Sequence, residues 1–98
     1  MTVREKRGRR RYIAFTVSRE HTKDSLIRAL RARTGVPPYV VQCAEGWAIV
    51  RCAPDETEVT ISLVNDADPP SASLRTSGTL ASLRDAYPEL KRLRPPKK

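Results

Sequence analysis

The segment RRYIAFTV, residues 10–17, is the least interrupted apolar run in the sequence, and it follows directly on a dense basic stretch. Side chains alternate between the two faces of a strand, so Ile13 and Phe15 share one face and Tyr12 lies on the other. A strand that is rich in aromatic and β-branched residues and apolar on both faces usually lies inside a sheet. We therefore predict a central strand from about Arg11 to Val17.

The region after this strand predicts a helix and then a hairpin. Thr22 or Asp24 can cap a helix that runs to about Thr34, with Gly35 and two prolines preventing its continuation. Residues 39–52 have the alternation of a hairpin with a tight turn at Glu45-Gly46. This turn sets the register of the two hairpin strands, and the register assigns each side chain to one of two faces. We expect the core face to hold Val41, Cys43, Ala48, Val50 and Cys52. We expect an open face with Val40, Gln42, Trp47, Ile49, Arg51 and Tyr12.

The remaining segments are less clear from local pattern alone. Residues 54–65 fit either a strand or a helix, and we choose a helix because the chain must cross the sheet after a hairpin. Residues 71–75 predict a short edge strand, and a final helix follows with Leu80, Leu83 and Tyr87 as apolar positions. Pro88 kinks that helix or begins another short turn that carries Leu90 and Leu93.

The predicted order is β-α-β-β-α-β-α, an α+β fold. It matches a two-layer α/β sandwich with a four-stranded antiparallel sheet, ferredoxin-like and similar to RNA-recognition folds, in which the first and third strands are central. We expect a single sandwich domain over residues 11–87. A basic, flexible arm (residues 1–10) precedes it and a basic, proline-containing tail (88–98) follows it.

The distribution of charge indicates a polyanionic partner. The 98 residues carry a net charge of +8, but residues 12–90 hold eight basic and ten acidic groups, so the excess lies at the two ends. Nucleic acid fits such ends better than a membrane, because neither end has an apolar helical face. The alternative is that the ends are solvated and bind nothing. The basic candidates for contacts to RNA phosphates are Arg7, Arg9, Arg10, Arg11, Lys91, Arg92 and Arg94.

Other functional classes find less support in the sequence. No apolar run is long enough for a membrane helix or a signal peptide, so we expect a soluble, cytoplasmic protein that contacts no membrane. Cys43 and Cys52 predict free thiols rather than a disulfide or a metal site, and we expect no catalytic and no metal-binding residues. With His21 as the only histidine, we expect no pairing of a nucleophile with a base.

Two further motifs leave alternatives open. The third strand, EGWAIVRC, partly fits an RNA-recognition strand, and Trp47 on an open sheet face could stack a base in a stand-alone single-stranded RNA-binding module. The same face, with Tyr12, Trp47 and Ile49, could instead contact a protein. The segment Ser77-Gly78-Thr79 could hold a phosphate at a helix start or could be an ordinary helix cap.

The strings RRYIAF, G-x-AIVRC and SGT leading into LASLR, in that order, resemble protein component 2 of ribonuclease P, the archaeal Pop-five type. The resemblance covers roughly residues 9–87. Within it, Arg10, Arg11 and Tyr12 match the start of the family's first strand. Arg51 matches its IVRC string, and the matches to its RT…SGT segment are Arg75, Ser77, Gly78 and Thr79.

The resemblance implies a non-catalytic protein subunit of ribonuclease P. In that family an RNA subunit carries out Mg²⁺-dependent hydrolysis that removes the 5′ leader of precursor tRNA, so the protein itself binds no cofactor. The implied partners are this RNA, precursor tRNA indirectly, and a TIM-barrel protein of the Rpp-thirty type, often in a heterotetramer. The resemblance thus predicts RNA binding at Arg51, Arg75 and residues 77–79.

Overall fold

Four antiparallel strands form one sheet in the order β2-β3-β1-β4 in the computed structural model, which describes residues 10–35 and 37–93. The strands are β1 (Arg11–Thr16), β2 (Tyr39–Ala44), β3 (Trp47–Cys52) and β4 (Ala72–Ser77). The helices are α1 (Lys23–Arg31), α2 (Thr57–Ala67, after a 3₁₀ turn Pro54–Glu56), α3 (Leu80–Ala86) and α4 (Pro88–Arg92). This is the predicted ferredoxin-like α/β sandwich, with β1 and β3 at its centre.

The first strand is central because both of its faces are buried. Ile13, Ala14 and Phe15 have no exposed surface. On one face, Ile13 and Phe15 pack with Leu26 of α1 and Val64 of α2. Each Å² of apolar area that this layer removes from water stabilises the fold by about 25 cal/mol.

Local residue choices determine where the first helix begins and ends. Thr22 caps α1 by accepting the Ser25 backbone N–H, and Ser25 Oγ accepts the Thr22 N–H in return at 2.8 Å. This reciprocal capping box satisfies two of the N–H groups that a helix start leaves without partners. The helix ends at Arg31, three residues earlier than predicted, where turns replace its regular bonds and both Arg33 and Thr34 donate to the Leu30 carbonyl.

The hairpin turn lies at Glu45-Gly46 as predicted, with φ of 51° and 88° at the two positions. Two positive φ values are typical of the tight turn that matches the twist of paired strands. Cys43 pairs with Ala48, also as predicted, but the register shifts between Val40 and Gln42. The predicted faces of Val40 and Val41 are therefore wrong: the irregularity turns Val40 into the main core.

Residues 54–67 are helical, which confirms the choice based on topology. The predicted edge strand also forms, and β4 extends to Ser77 rather than ending at Arg75. Most of its side chains are exposed because only β1 pairs with it. Within residues 10–35 and 37–93, no helix combines the length and apolar character required to cross a membrane.

The two C-terminal helices cover the second face of the sheet, which the sequence analysis left open. Leu83 of α3 and Leu90 of α4 are completely buried against Ala14 and Ile49. Gln42 fixes both helices, since its amide donates to the Leu90 carbonyl at 3.0 Å and its oxygen accepts from the Arg84 guanidinium at 2.7 Å.

Because of this packing, the folded domain ends later in the sequence than predicted. The folded part of the chain extends through α4 to Leu93, beyond the boundary expected at residue 87. Pro88 starts the new helix, one of the two alternatives that the sequence allowed. The remainder of the expected tail, residues 94–98, lies outside the described residues, as do residues 1–9 of the expected arm.

Candidate nucleic-acid interface

Three segments that are distant in the sequence meet at one end of the sheet. In the β1–β3 pair, Arg11 is opposite Cys52 and Tyr12 is opposite Arg51. In the β1–β4 pair, Tyr12 is opposite Ser77, the last residue of β4. The antiparallel register therefore brings together the start of β1, the end of β3 and the end of β4. We call this region the basic end of the sheet.

The guanidinium of Arg11 lies beside Gly78. A Cβ atom built at Gly78 would be 3.3 Å from Arg11 Nη1, which also donates to the Arg10 carbonyl at 3.3 Å. Gly78 is exposed, and its φ lies outside the left-handed region. A glycine at this position therefore leaves room for the Arg11 side chain; it is not needed for an unusual backbone conformation.

The segment Ser77-Gly78-Thr79 forms an ordinary helix cap. Ser77 Oγ accepts the Thr79 N–H at 3.2 Å, and Thr79 Oγ1 accepts the Ser82 N–H at the same distance. These bonds use the N–H groups of Thr79 and Ser82 at the helix start. The sequence allowed either a phosphate site or a helix cap here, and the contacts present are those of a cap. The Arg11 guanidinium is the cation beside this segment.

Tyr39 is a residue that the sequence analysis did not single out. Its side chain is 51% exposed at the start of β2, opposite Arg51. The guanidinium carbon of Arg51 lies 4.6 Å from the centre of the tyrosine ring, and Lys23 Nζ lies 5.5 Å from it. Such contacts between a cation and a ring stabilise exposed sites by about 0.5–1 kcal/mol. A tyrosine after two prolines at a strand start is the only sequence signal that could have identified it.

Three arginines contribute positive charge at or near the basic end. Across residues 10–35 and 37–93, none of Arg11, Arg51 and Arg75 forms an ion pair with a carboxylate. Arg75 is exposed on β4, two residues before Ser77 and therefore on the same face of that strand. Their positive charge is thus available to a polyanion.

The two basic candidates on α4, Lys91 and Arg92, do not join this group. Arg92 forms ion pairs with Glu89 and with Glu45 of the hairpin turn, which lies at the opposite end of β3 from Arg51. Lys91 is its exposed neighbour on α4. Three further candidates lie outside the described residues: Arg7, Arg9 and Arg94.

The predicted protein-contact face of Tyr12, Trp47 and Ile49 is wrong as an open surface. Ile49 has no exposed area because α3 and α4 cover it. The Trp47 ring centre lies 6.0 Å from that of Tyr87, at a tilt of 45°. Trp47 is therefore partly buried against the two C-terminal helices rather than fully open for stacking on a base.

His21 has neighbours that the sequence analysis did not expect. Its Nδ1 lies 2.9 Å from Ser25 Oγ, and its Nε2 lies 3.5 Å from Asp68 Oδ1. The structure thus places a serine hydroxyl within hydrogen-bond distance of the histidine, contrary to the expectation that no such pair would form. Ser25 Oγ is nevertheless occupied by the α1 capping box, and Asp68 accepts both the backbone N–H and the hydroxyl of Ser18. The contacts join two loops, which is a structural role.

Both cysteines are free thiols, as predicted. Burial of Cys43, aided by the nearby Asp68 carboxylate, raises the pKa of its thiol from 9.0 to about 11. The thiolate is the reactive form of cysteine, so Cys43 is a packing residue at neutral pH.

The α2 side of the molecule has the opposite charge to the basic end. Residues 52–74 contain five acids and no lysine or arginine. On this surface Val59 is 68% exposed, and it borders an open groove of about 440 Å³ that Leu63, Glu58 and Asp66 also line. RNA phosphates are repelled here, whereas a protein surface is not.

The fold and the basic end together define a ferredoxin-like α/β sandwich with a candidate polyanion-binding edge. A scan of the sequence against protein-family models finds no match. A search of curated proteins also finds no similar sequence.

Proposed function

We propose that this protein is a non-catalytic, RNA-binding subunit of a ribonucleoprotein of the ribonuclease P type. In this role it supports a catalytic RNA that removes the 5′ leader of precursor tRNA. The Mg²⁺ ions of the reaction belong to the RNA subunit, and the protein supplies cations and shape. The sequence resemblance to protein component 2 of ribonuclease P is the source of the specific assignment.

One observation of the structure supports the RNA-binding part most directly. The three strings that carry the resemblance lie far apart in the chain, yet Arg11, Arg51 and the segment 77–79 meet at the basic end of the sheet. Arg11 and Arg51 there have no carboxylate partner in the described ranges. Each such cation can neutralise a phosphate and release a counterion, which favours binding to folded RNA without reading its bases.

A protein partner fits the acidic side of the molecule better than the covered sheet face. Val59 and Leu63 provide apolar contact area, and Glu58 and Asp66 flank them with negative charge. A barrel-type partner would meet this groove with apolar and basic side chains. RNA and protein would then bind to different sides of the same subunit.

The experiment measures binding of the purified full chain to a large structured RNA across a salt series. We expect Arg11→Gln to weaken binding and to reduce the slope of log affinity against log salt. The matched control is Arg19→Gln, because Arg19 is exposed and lies beside Gly46 of the hairpin turn, away from the basic end. Equal effects of the two variants would contradict a localised interface.

A second readout tests the non-catalytic part. The tagged full chain should bring down a structured RNA and a barrel-type protein together. Cleavage of a precursor transcript by the purified polypeptide alone would refute the proposal, since the proposal assigns the chemistry to RNA.

A further inference from the structure

The basic end of the sheet contains a row of residues that crosses all four strands. Tyr39 of β2 is opposite Arg51 of β3, Arg51 is opposite Tyr12 of β1, and Tyr12 is opposite Ser77 of β4. Residues that are directly opposite in antiparallel strands point to the same face of the sheet. The four side chains therefore form one line, in the order aromatic, cation, aromatic, hydroxyl.

The spacing of this row suits a nucleic-acid strand better than a packed core. Neighbouring strands lie about 4.8 Å apart, so the two tyrosines are about 10 Å apart with the guanidinium between them. Proteins that bind single strands combine stacking aromatic rings with cations that follow the phosphates. Tyr39 and Tyr12 can supply the rings, and Arg51 can supply the cation.

The row remains accessible although the rest of this sheet face is covered. The helices α3 and α4 pack on Ala14 and Ile49, further along the strands, and Trp47 lies at the opposite end of β3. Tyr39 is half exposed, while Tyr12 and Arg51 are partly exposed. Tyr12 also packs against the buried cluster of Ala14, Ile49, Leu83 and Leu90.

The electrostatics of the row favour the same ligand. Lys23 adds a second cation beside the Tyr39 ring. In the described part of the chain, neither Lys23 nor Arg51 forms an ion pair with an acid. A base that stacks here would therefore have its phosphates next to unneutralised positive charge.

We propose that the row Tyr39–Arg51–Tyr12–Ser77 binds a short unpaired segment of RNA. A base stacks on the Tyr39 ring in place of the Arg51 guanidinium, which now lies 4.6 Å from the ring centre, and the guanidinium then contacts the neighbouring phosphate. This inference rests on the proposed RNA-binding function, and it adds that the RNA must present unpaired nucleotides at this end of the sheet. The row binds them without sequence preference, because every base has a flat face.

The test compares two RNA hairpins, one with a short unpaired tail and the same hairpin with a blunt end. Tyr39→Ala should weaken binding of the tailed hairpin about 5- to 150-fold and leave the blunt hairpin unchanged, because stacking contributes only to the tail. Tyr39→Phe should retain the binding, since the ring remains. A fluorescent adenine analogue in the tail should be quenched by the natural chain and by Tyr39→Phe but not by Tyr39→Ala.

A charge variant and a control complete the design. Arg51→Gln should reduce the salt slope for the tailed hairpin by about 0.7, the value for one phosphate contact on a single strand. The matched control is Arg19→Gln, which removes an exposed cation beside Gly46, away from the basic end, and should leave the salt slope of both hairpins unchanged. Because Tyr39 is half exposed on an edge strand, its truncation should leave the fold intact, which circular dichroism checks.

The outcomes separate this inference from the proposed function. If Tyr39→Ala binds both hairpins as the natural chain does, the row is not an RNA site, although the proposed function stands. If Tyr39→Ala instead releases a co-purifying protein without changing RNA affinity, the row is a protein contact and the inference is overturned. If the natural chain binds neither hairpin in a salt-dependent way, the proposed function itself fails.

Discussion

The contact between Gly78 and Arg11 allows a substitution that reverses the local charge with little effect on the fold. A glutamate at Gly78 starts from an exposed position with ordinary backbone geometry, and its Cβ lies 3.3 Å from Arg11 Nη1. That neighbour is the far end of a flexible side chain, so it can move to accept the new carboxylate. We expect Gly78→Glu to fold normally, with a change in unfolding free energy within about 1 kcal/mol, as for an exposed ion pair.

The effect on RNA binding should be much larger than the effect on stability. The new carboxylate pairs with the Arg11 guanidinium, so it removes one phosphate contact and adds one repulsive charge. Each phosphate contact contributes a slope of about 0.7–0.9 in log affinity against log salt, which is roughly tenfold in affinity near 0.1 M salt. We therefore expect Gly78→Glu to weaken binding about 10- to 100-fold at that salt concentration and to flatten the slope by one to two such contacts.

Fluorescence anisotropy with a structured RNA measures both quantities. Gly78→Gln is the matched control, because it has the same size without the charge and should bind almost as the natural chain does. Gly78→Lys should bind at least as tightly as the natural chain. If the glutamate and glutamine variants bind RNA equally well, the positive charge at the basic end does not contact phosphates and the reasoning is refuted.

Three further predictions concern stability, titration and the protein partner. Leu90→Ala should lower the unfolding free energy by about 2–5 kcal/mol because Leu90 is completely buried, and a loss below about 1 kcal/mol would show that α4 is not part of the core. Burial raises the pKa of Cys43 to about 11, so its contribution to stability is full below pH 9 and is lost as pH rises to about 11. Denaturant titrations should show this loss in the natural chain and not in Cys43→Ala, and identical pH profiles would contradict it. Val59→Arg should abolish co-purification of the protein partner and leave RNA affinity unchanged, whereas retained partner binding would exclude the α2 groove.

The first strand, the start of the first helix and the hairpin turn could be predicted because local sequence patterns specify them. The apolar run around Phe15, the cap at Thr22 and the turn at Glu45-Gly46 each have a local cause that tertiary contacts do not override. The helix at residues 57–67 needed a different argument, since its local pattern also fits a strand. Topology decided that case, because the chain had to cross the sheet.

The covered sheet face could not be predicted for a physical reason. Leu83 and Leu90 each belong to a short helix, and the two pack together on Ala14 and Ile49 only when the whole sheet is assembled. The register shift at Val40 likewise has no signature in the sequence. An extra residue in a strand leaves the alternation of side chains intact before and after it, so the pattern does not show where the shift occurs. The error about the open face of Trp47 and Ile49 follows from the first of these features, because α3 and α4 cover that face.

The candidate site was predicted in part. The residues Arg11, Arg51 and Gly78 were identified from a resemblance and then lie together at one end of the sheet. Tyr39 was missed because its significance depends on a cross-strand neighbour, Arg51, twelve positions away in the sequence. A tyrosine after two prolines at a strand start is a weak signal until the register of the strands shows its neighbour.

The most direct test of the central claim is the affinity of the purified full chain for a large structured RNA, measured as a function of salt. The account predicts tight binding at low ionic strength, a steep fall in affinity with salt, and a shallower fall in the Gly78→Glu variant. Absence of binding at low ionic strength, or a salt dependence that is the same in the natural chain and in this variant, would contradict it.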